Sequence, residues 1–136
     1  MQKEEQRFIR AASTGDIEKV RSGLNSGIHP NVKDKYGFPA LVHACRRGQL
    51  AVVKLLINSG ADIEFNDDRK RTPFFHAVGL MRYDVVKYLA EIKCDINSID
   101  MYGWTALDFA ITNHNVKMAE LLRELGAKTN WKKENL

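Results

Sequence analysis

The feature that most constrains what this chain can fold into is a period of 33 residues. Residues 29–44 read HPNVKDKYGFPALVHA, residues 62–77 read DIEFNDDRKRTPFFHA and residues 95–110 read DINSIDMYGWTALDFA, in one register. A fixed period of this size marks copies of one supersecondary unit that bury their apolar faces against one another. Set in rows, the chain shows apolar columns at Phe8, Leu41, Phe74 and Leu107 and at Ala11, Ala44, Ala77 and Ala110. Two more columns follow, Ile17, Leu50, Tyr83 and Val116, then Val20, Val53, Val86 and Ala119. Four rows are therefore expected to share one buried pattern.

Within a row the spacing is helical. Val52, Val53, Leu55, Leu56 and Ile57 follow Gly48, with Gln49, Lys54 and Asn58 as polar breaks, which predicts a short amphipathic helix. Gly60 is placed to end it in the left-handed conformation, and Gly27 and Gly126 share its column. Lys93 takes that position in the third row, at a cost of about 1 kcal/mol if the backbone is kept, so a locally different loop is the alternative. A shorter helix precedes each of these. Thr72-Pro73 and Thr105-Ala106 read as hydroxyl N-caps at its start, whereas Pro39-Ala40 lacks the hydroxyl and predicts a less well anchored helix. Between rows, residues 31–38, 64–71 and 97–104 have no helical period and contain Asp34, Asp67 and Asp100, whose short side chains bond nearby amides in turns.

These rows resemble the ankyrin repeat family over nearly the whole chain. The TPLH-type helix start is carried by TPFF at Thr72 and TALD at Thr105, and the second helix by GQLAVVKLLINSGADI from Gly48. The resemblance implies an all-α ankyrin repeat solenoid of four helix-turn-helix units, with β-turn or hairpin fingers projecting from the stack and a concave groove on one side. The expected organisation is one domain: a capping repeat at 1–33, repeats at 34–66 and 67–99, a second capping repeat at 100–130 and a short basic tail at 131–136. The family histidine is replaced by Val42, Phe75 and Asp108, so its side-chain bonding is not carried over to any row. Gly23 stands in the column of Leu56, Leu89 and Leu122, which predicts a thinner core and easier fraying in the first unit.

Composition excludes several classes. With 44% hydrophobic and 28% charged residues among 136, the chain has a globular balance. No apolar run approaches the ~20 residues of a membrane helix, and MQKEEQRFIR contains no signal-like segment. A soluble, cytoplasmic, monomeric protein is expected, a leader removed earlier being the alternative. Cys45 and Cys94 fit no metal or redox spacing and are expected as small buried hydrophobes. His43 and His76 share a column, but packed helices lie ~8 to 10 Å apart while zinc holds ligands at about 2 Å, so no metal is expected. No nucleophile beside a base and no phosphate loop occurs at a supporting spacing, which argues against an enzyme and against a cofactor. Asp67 and Asp68 are read as solvated turn residues balanced by Arg69, Lys70 and Arg71.

What remains is the surface the repeat does not dictate. The implied groove is lined by finger residues Lys33, Lys35, Tyr36 and Phe38, then Asn66, Asp68, Arg69 and Arg71, then Ile99, Met101, Tyr102 and Trp104. From these and the first helices, the expected partner-binding set is Lys35, Tyr36, Phe38, Arg46, Arg47, Arg69, Arg71, Leu80, Met101, Tyr102, Trp104 and Asn113. Aromatic residues, Met and Arg are the types enriched at protein interfaces. The expected function is a non-enzymatic protein–protein interaction module, an inhibitor or adaptor, whose partner offers an acidic or aliphatic segment. The alternative for Phe38 and Trp104 is packing between repeats. The alternative function is nucleic-acid binding through the arginines and the lysines of the tail, Lys128, Lys132 and Lys133, against which the acidic Asp67, Asp68 and Asp100 interrupt the basic surface.

Overall fold

A computed structural model describes residues 2–130, so the tail at 131–136, with Lys132 and Lys133, lies outside the described residues. Eight helices are found there: α1 (Lys3–Thr14), α2 (Ile17–Asn25), α3 (Ala40–Arg47), α4 (Leu50–Asn58), α5 (Pro73–Gly79), α6 (Tyr83–Glu91), α7 (Ala106–Thr112) and α8 (Val116–Glu124). They pair as α1–α2, α3–α4, α5–α6 and α7–α8, and each pair stacks on the next. The first helices α1, α3, α5 and α7 pack closely along the stack, whereas the second helices meet much less. The first helices therefore form the more tightly packed side of the stack.

The helix starts follow from side-chain chemistry. Thr72 and Thr105 accept the amides of Phe75 and Asp108 at 3.2 and 3.1 Å, each satisfying an otherwise unpaired N–H of the first turn. Pro39 has no side-chain cap bond, as its lack of a hydroxyl requires. The α7 start is tied down further than expected. Asp108 Oδ2 accepts the amides of Thr105 and Asn130 at 2.9 and 3.0 Å, while the Thr105 hydroxyl lies near both Asp108 Oδ2 and the Lys128 carbonyl. All of these bonds fall on Oδ2, while Oδ1 is buried without a hydrogen-bond partner; through its one bonded oxygen Asp108 supplies at this position the side-chain bonding that loss of the family histidine was expected to remove.

Three of the four apolar columns are buried throughout: Phe8, Leu41, Phe74 and Leu107, the four alanines, and Val20, Val53, Val86 and Ala119. The other column is not. Ile17, Leu50 and Tyr83 are only partly buried and Val116 is 67% exposed, because these residues open the second helices on the outer side of the stack. The first unit also departs from expectation. A Cβ on Gly23 would fall 2.6 Å from Phe8 Cδ1, so the Phe8 ring occupies the room that leucine fills in later rows. The missing side chain is replaced from the neighbouring helix.

Two ladders fasten the units. Asn31, Glu64 and Asn97 accept the amides of Asp62, Asp95 and Lys128 at 2.8, 2.9 and 2.7 Å, one bond per interface between finger bases. On the opposite end of the first helices, Gln49 and Arg82 donate to the carbonyls of Ser13 and Arg46 in the preceding unit. These carbonyls belong to a helix end that has no intrahelical partner for them.

Candidate protein-binding groove

Each finger is shaped by one aspartate. Asp34 Oδ1 accepts the amides of Tyr36 and Phe38 at 2.9 and 3.0 Å. Asp67 Oδ1 does so for Arg69 and Arg71, both at 2.9 Å, and Asp100 Oδ1 for Tyr102 and Trp104 at 2.9 and 3.0 Å. Two amides converging on one oxygen fold the backbone into a tight turn, and the first donor of each of the two tyrosine-bearing turns projects outward. Tyr36 and Tyr102, at matching positions, are 69% and 62% exposed, and Met101 is 54% exposed. The Met101 amide also donates to the Arg69 carbonyl at 2.8 Å, joining the last two fingers.

The second oxygen of each aspartate reaches a side chain. Asp34 Oδ2 lies 2.7 Å from His43 Nε2, Asp67 Oδ2 lies 2.8 Å from His76 Nε2, and Asp100 Oδ2 lies 3.4 Å from Arg71 Nε. Asp67 is therefore a structural carboxylate rather than the solvated turn residue expected from its basic neighbours. Burial raises its pKa, but the Arg71 amide, His76 and the Arg69 amide outweigh that and hold the carboxyl below its usual value. Arg46 donates to His76 Nδ1 at 3.0 Å. Because a guanidinium has no acceptor, His76 is fixed as the neutral tautomer with its proton on Nε2, directed at Asp67. Burial, the largest effect, accordingly lowers the His76 pKa, with Asp67 opposing and Arg46 and Arg71 assisting.

The expected site residues separate into groups. Lys35 and Tyr36 are exposed, with the Lys35 ammonium 5.1 Å over the Tyr36 ring. Phe38 is half-buried, edge-on to His43 and His76 at 6.0 and 6.1 Å, so it packs between two units while one side remains in the groove. Arg46, Arg47 and Arg69 are exposed. Arg71 instead crosses to the last unit, its guanidinium 4.9 Å over Phe75 and 5.6 Å over Phe109 beside Asp100. Trp104 is half-buried at the base of its finger. Leu80 is 38% exposed at the end of α5, and Asn113 lines a separate cleft with Gly79, Met81 and Phe109.

Two clefts flank Tyr36. One, of about 450 Å³, lies against α1 and is lined by Gln6, Ile9, Arg10, Ser13, Asp34, Lys35, Tyr36 and His43. The other, of about 540 Å³, runs from Tyr36 and Phe38 to Arg46, Phe65 and Arg69. The α1 contribution was missed in the sequence because the first row has no finger to mark its groove face. Its only signal was the repeat column that aligns Arg10 and Ser13 with His43 and Arg46. Among the described residues no three His, Cys, Asp or Glu side chains gather as a metal ion requires, and no helix is long and apolar enough to cross a membrane. Cys45 and Cys94 are buried free thiols, and burial raises both pKa values far from thiolate chemistry.

Comparison with known proteins agrees with this architecture. The family model described as ankyrin repeats (3 copies) matches residues 8–100 and 60–133. The chain is 30% identical over 122 residues to the putative ankyrin repeat protein YahD of Escherichia coli (strain K12), covering 90% of this chain and 59% of that one. It is 31% identical over 124 residues to a putative ankyrin repeat-containing protein of Treponema pallidum (strain Nichols), covering 90% and 42%. It is also 32% identical over 109 residues to protein phosphatase 1 regulatory subunit 12A of Rattus norvegicus, covering 79% of this chain and 10% of that protein. The chain thus spans only part of the length of each of these relatives.

Proposed function

The chain belongs to the ankyrin repeat family, and from that premise we propose that it is a non-enzymatic module holding a segment of another protein in its concave groove. It acts as an adaptor or inhibitor, as a monomer in the cytoplasm. The observation that carries this reading is the pair of exposed phenols, Tyr36 and Tyr102, at matching positions of two fingers, Tyr36 lining both clefts beside the first helices. A rigid aromatic with a polar tip gives contact area at small entropic cost, which is why such residues dominate binding hot spots.

Met101 adds an adaptable apolar contact, and Lys35, Arg46, Arg47 and Arg69 orient an acidic or aliphatic segment. Phe38, Arg71 and Trp104 support these residues from the finger bases, and Leu80 and Asn113 extend the surface toward the helix ends. A relative named as a regulatory subunit is consistent with a role exerted through binding. The groove chemistry favours protein over nucleic acid, because Asp34, Asp67 and Asp68 place negative charge between the cations of the two clefts.

The test is capture of partners from the native cell extract by wild type and by a Tyr36→Ala, Tyr102→Ala variant. Both phenols are exposed, so the variant should keep its helical content and melting temperature. Loss of the captured protein, by about tenfold or more in affinity, is expected for two interface aromatics. Equal capture by both would refute the groove reading.

A further inference from the structure

The rung that joins one unit to the carbonyls of the unit before it is missing at the last interface. Ser13, Arg46 and Gly79 share one repeat position at or near the ends of α1, α3 and α5, and Gln49, Arg82 and Asn115 share another just before α4, α6 and α8. Gln49 Nε2 donates to the Ser13 carbonyl at 3.1 Å and Arg82 Nε to the Arg46 carbonyl at 2.8 Å. Asn115 is shorter and is used otherwise. Its Oδ1 accepts the Met118 amide at 3.2 Å and caps its own helix, a bond that Gln49 and Arg82 do not make for theirs. Among the described residues no donor reaches the Gly79 carbonyl.

A cleft of about 450 Å³ opens at this place, lined by Gly79, Asn113 and Asn115 and by the apolar Met81 and Phe109. One interface earlier the equivalent path is filled. Arg82 lays its stem against Gly48, its Cδ 3.1 Å from where a Cβ would stand, on the way to the Arg46 carbonyl. Met81 takes the Gly48 position at the last interface and is 54% exposed, an apolar wall with one side open. No lysine or arginine lines this cleft, so the partial negative charge of the α5 end is not neutralised there. The clefts beside Tyr36 are the reverse, with cations in their walls.

We propose that this third cleft takes an arginine side chain of a partner protein, its guanidinium donating to the Gly79 carbonyl and its stem lying on Met81 and Phe109. The guest does between two chains what Arg82 does within one. Arginine suits the place better than lysine, because its N–H donors lie in a plane that can rest on an aromatic ring while still meeting a carbonyl. The site is at the end of the first helices away from the fingers, takes a guest of opposite charge to the tyrosine clefts, and stands independently of the groove reading.

The probe is N-acetyl-arginine methylamide, titrated into the isotope-labelled full chain while NMR follows the backbone amides of Gly79, Leu80, Met81 and Asn113. Saturating shifts centred on these amides are expected. The citrulline analogue, of the same shape without the charge, should bind at least about tenfold more weakly, roughly one charge-assisted bond. Asn115→Arg supplies the guest from within the chain and should abolish the probe's shifts at these amides, whereas Asn115→Ser, which keeps a capping oxygen, should retain them; circular dichroism confirms that both fold. Equal binding of the citrulline analogue overturns the proposal, as do shifts that survive Asn115→Arg, shifts found only beside surface carboxylates, or no saturating shift at all. Tighter binding of free arginine than of the blocked probe would make the guest a small molecule and overturn the partner assignment. The tyrosine groove is unaffected by any of these outcomes.

Discussion

His76 lies between a cation and an anion, held by Arg46 at 3.0 Å and Asp67 at 2.8 Å, and desolvation decides its protonation state. Its folded-state pKa is below the ordinary 6.5, so the unfolded chain takes up this proton first. Stability contributed by the neutral ring is complete above about pH 6.5 and is lost as pH falls toward the folded-state value. Urea midpoints measured between pH 8 and pH 5 should therefore decline for wild type and decline less for His76→Gln; parallel curves would contradict this assignment. Asp34 and Asp67 act in a lower window, since both carboxyls sit below 3.8, and their contribution is lost only as pH falls through those depressed values. The aspartates were legible as turn residues because they recur with the period. Their bonds to His43 and His76 were not, because each spans nine residues and depends on which way the finger folds back.

Among the elements, the third unit carries the most backbone strain. Three positions in each of the last three units adopt left-handed φ, and in the third Lys70, Met81 and Lys93 occupy them at 60°, 60° and 68°. The matching positions in the second unit are Gly37, Gly48 and Gly60. The loop after α6 thus keeps the family geometry despite Lys93, and the alternative of a different local path is not taken. A side chain at positive φ costs about 1–2 kcal/mol, partly offset by the extra unfolded-state entropy of glycine. The Lys70→Gly, Met81→Gly, Lys93→Gly variant should gain about 1–2 kcal/mol in total, read as a higher urea midpoint with an unchanged slope. A lower midpoint would show that these side chains make contacts worth more than the strain. The Lys93 mismatch was visible in one glycine column; the same alignment of the other two columns held the Lys70 and Met81 signals. The filling of the Gly23 gap by Phe8 was not legible, because compensation came from a different column.

For the whole molecule, the period dictated a one-dimensional stack in which each unit leans on its neighbours, and the structure has that form. The fingers and the order of helices could be read from the rows. The two clefts could not, since they depend on how Tyr36 divides the space beside the first helices. The amide ladder through Asn31, Glu64 and Asn97 was hidden for a related reason: its bonds join different units, and no pattern within one row encodes them. The central claim is that the concave face, and not the outer helices, meets the partner. It is tested most directly by placing photoreactive benzoylphenylalanine in turn at Tyr36, Tyr102, Lys87 and Val116 in the native cell and identifying the adducts. The account predicts one and the same protein crosslinked from positions 36 and 102 and none from 87 or 116; adducts from the outer positions alone would contradict it.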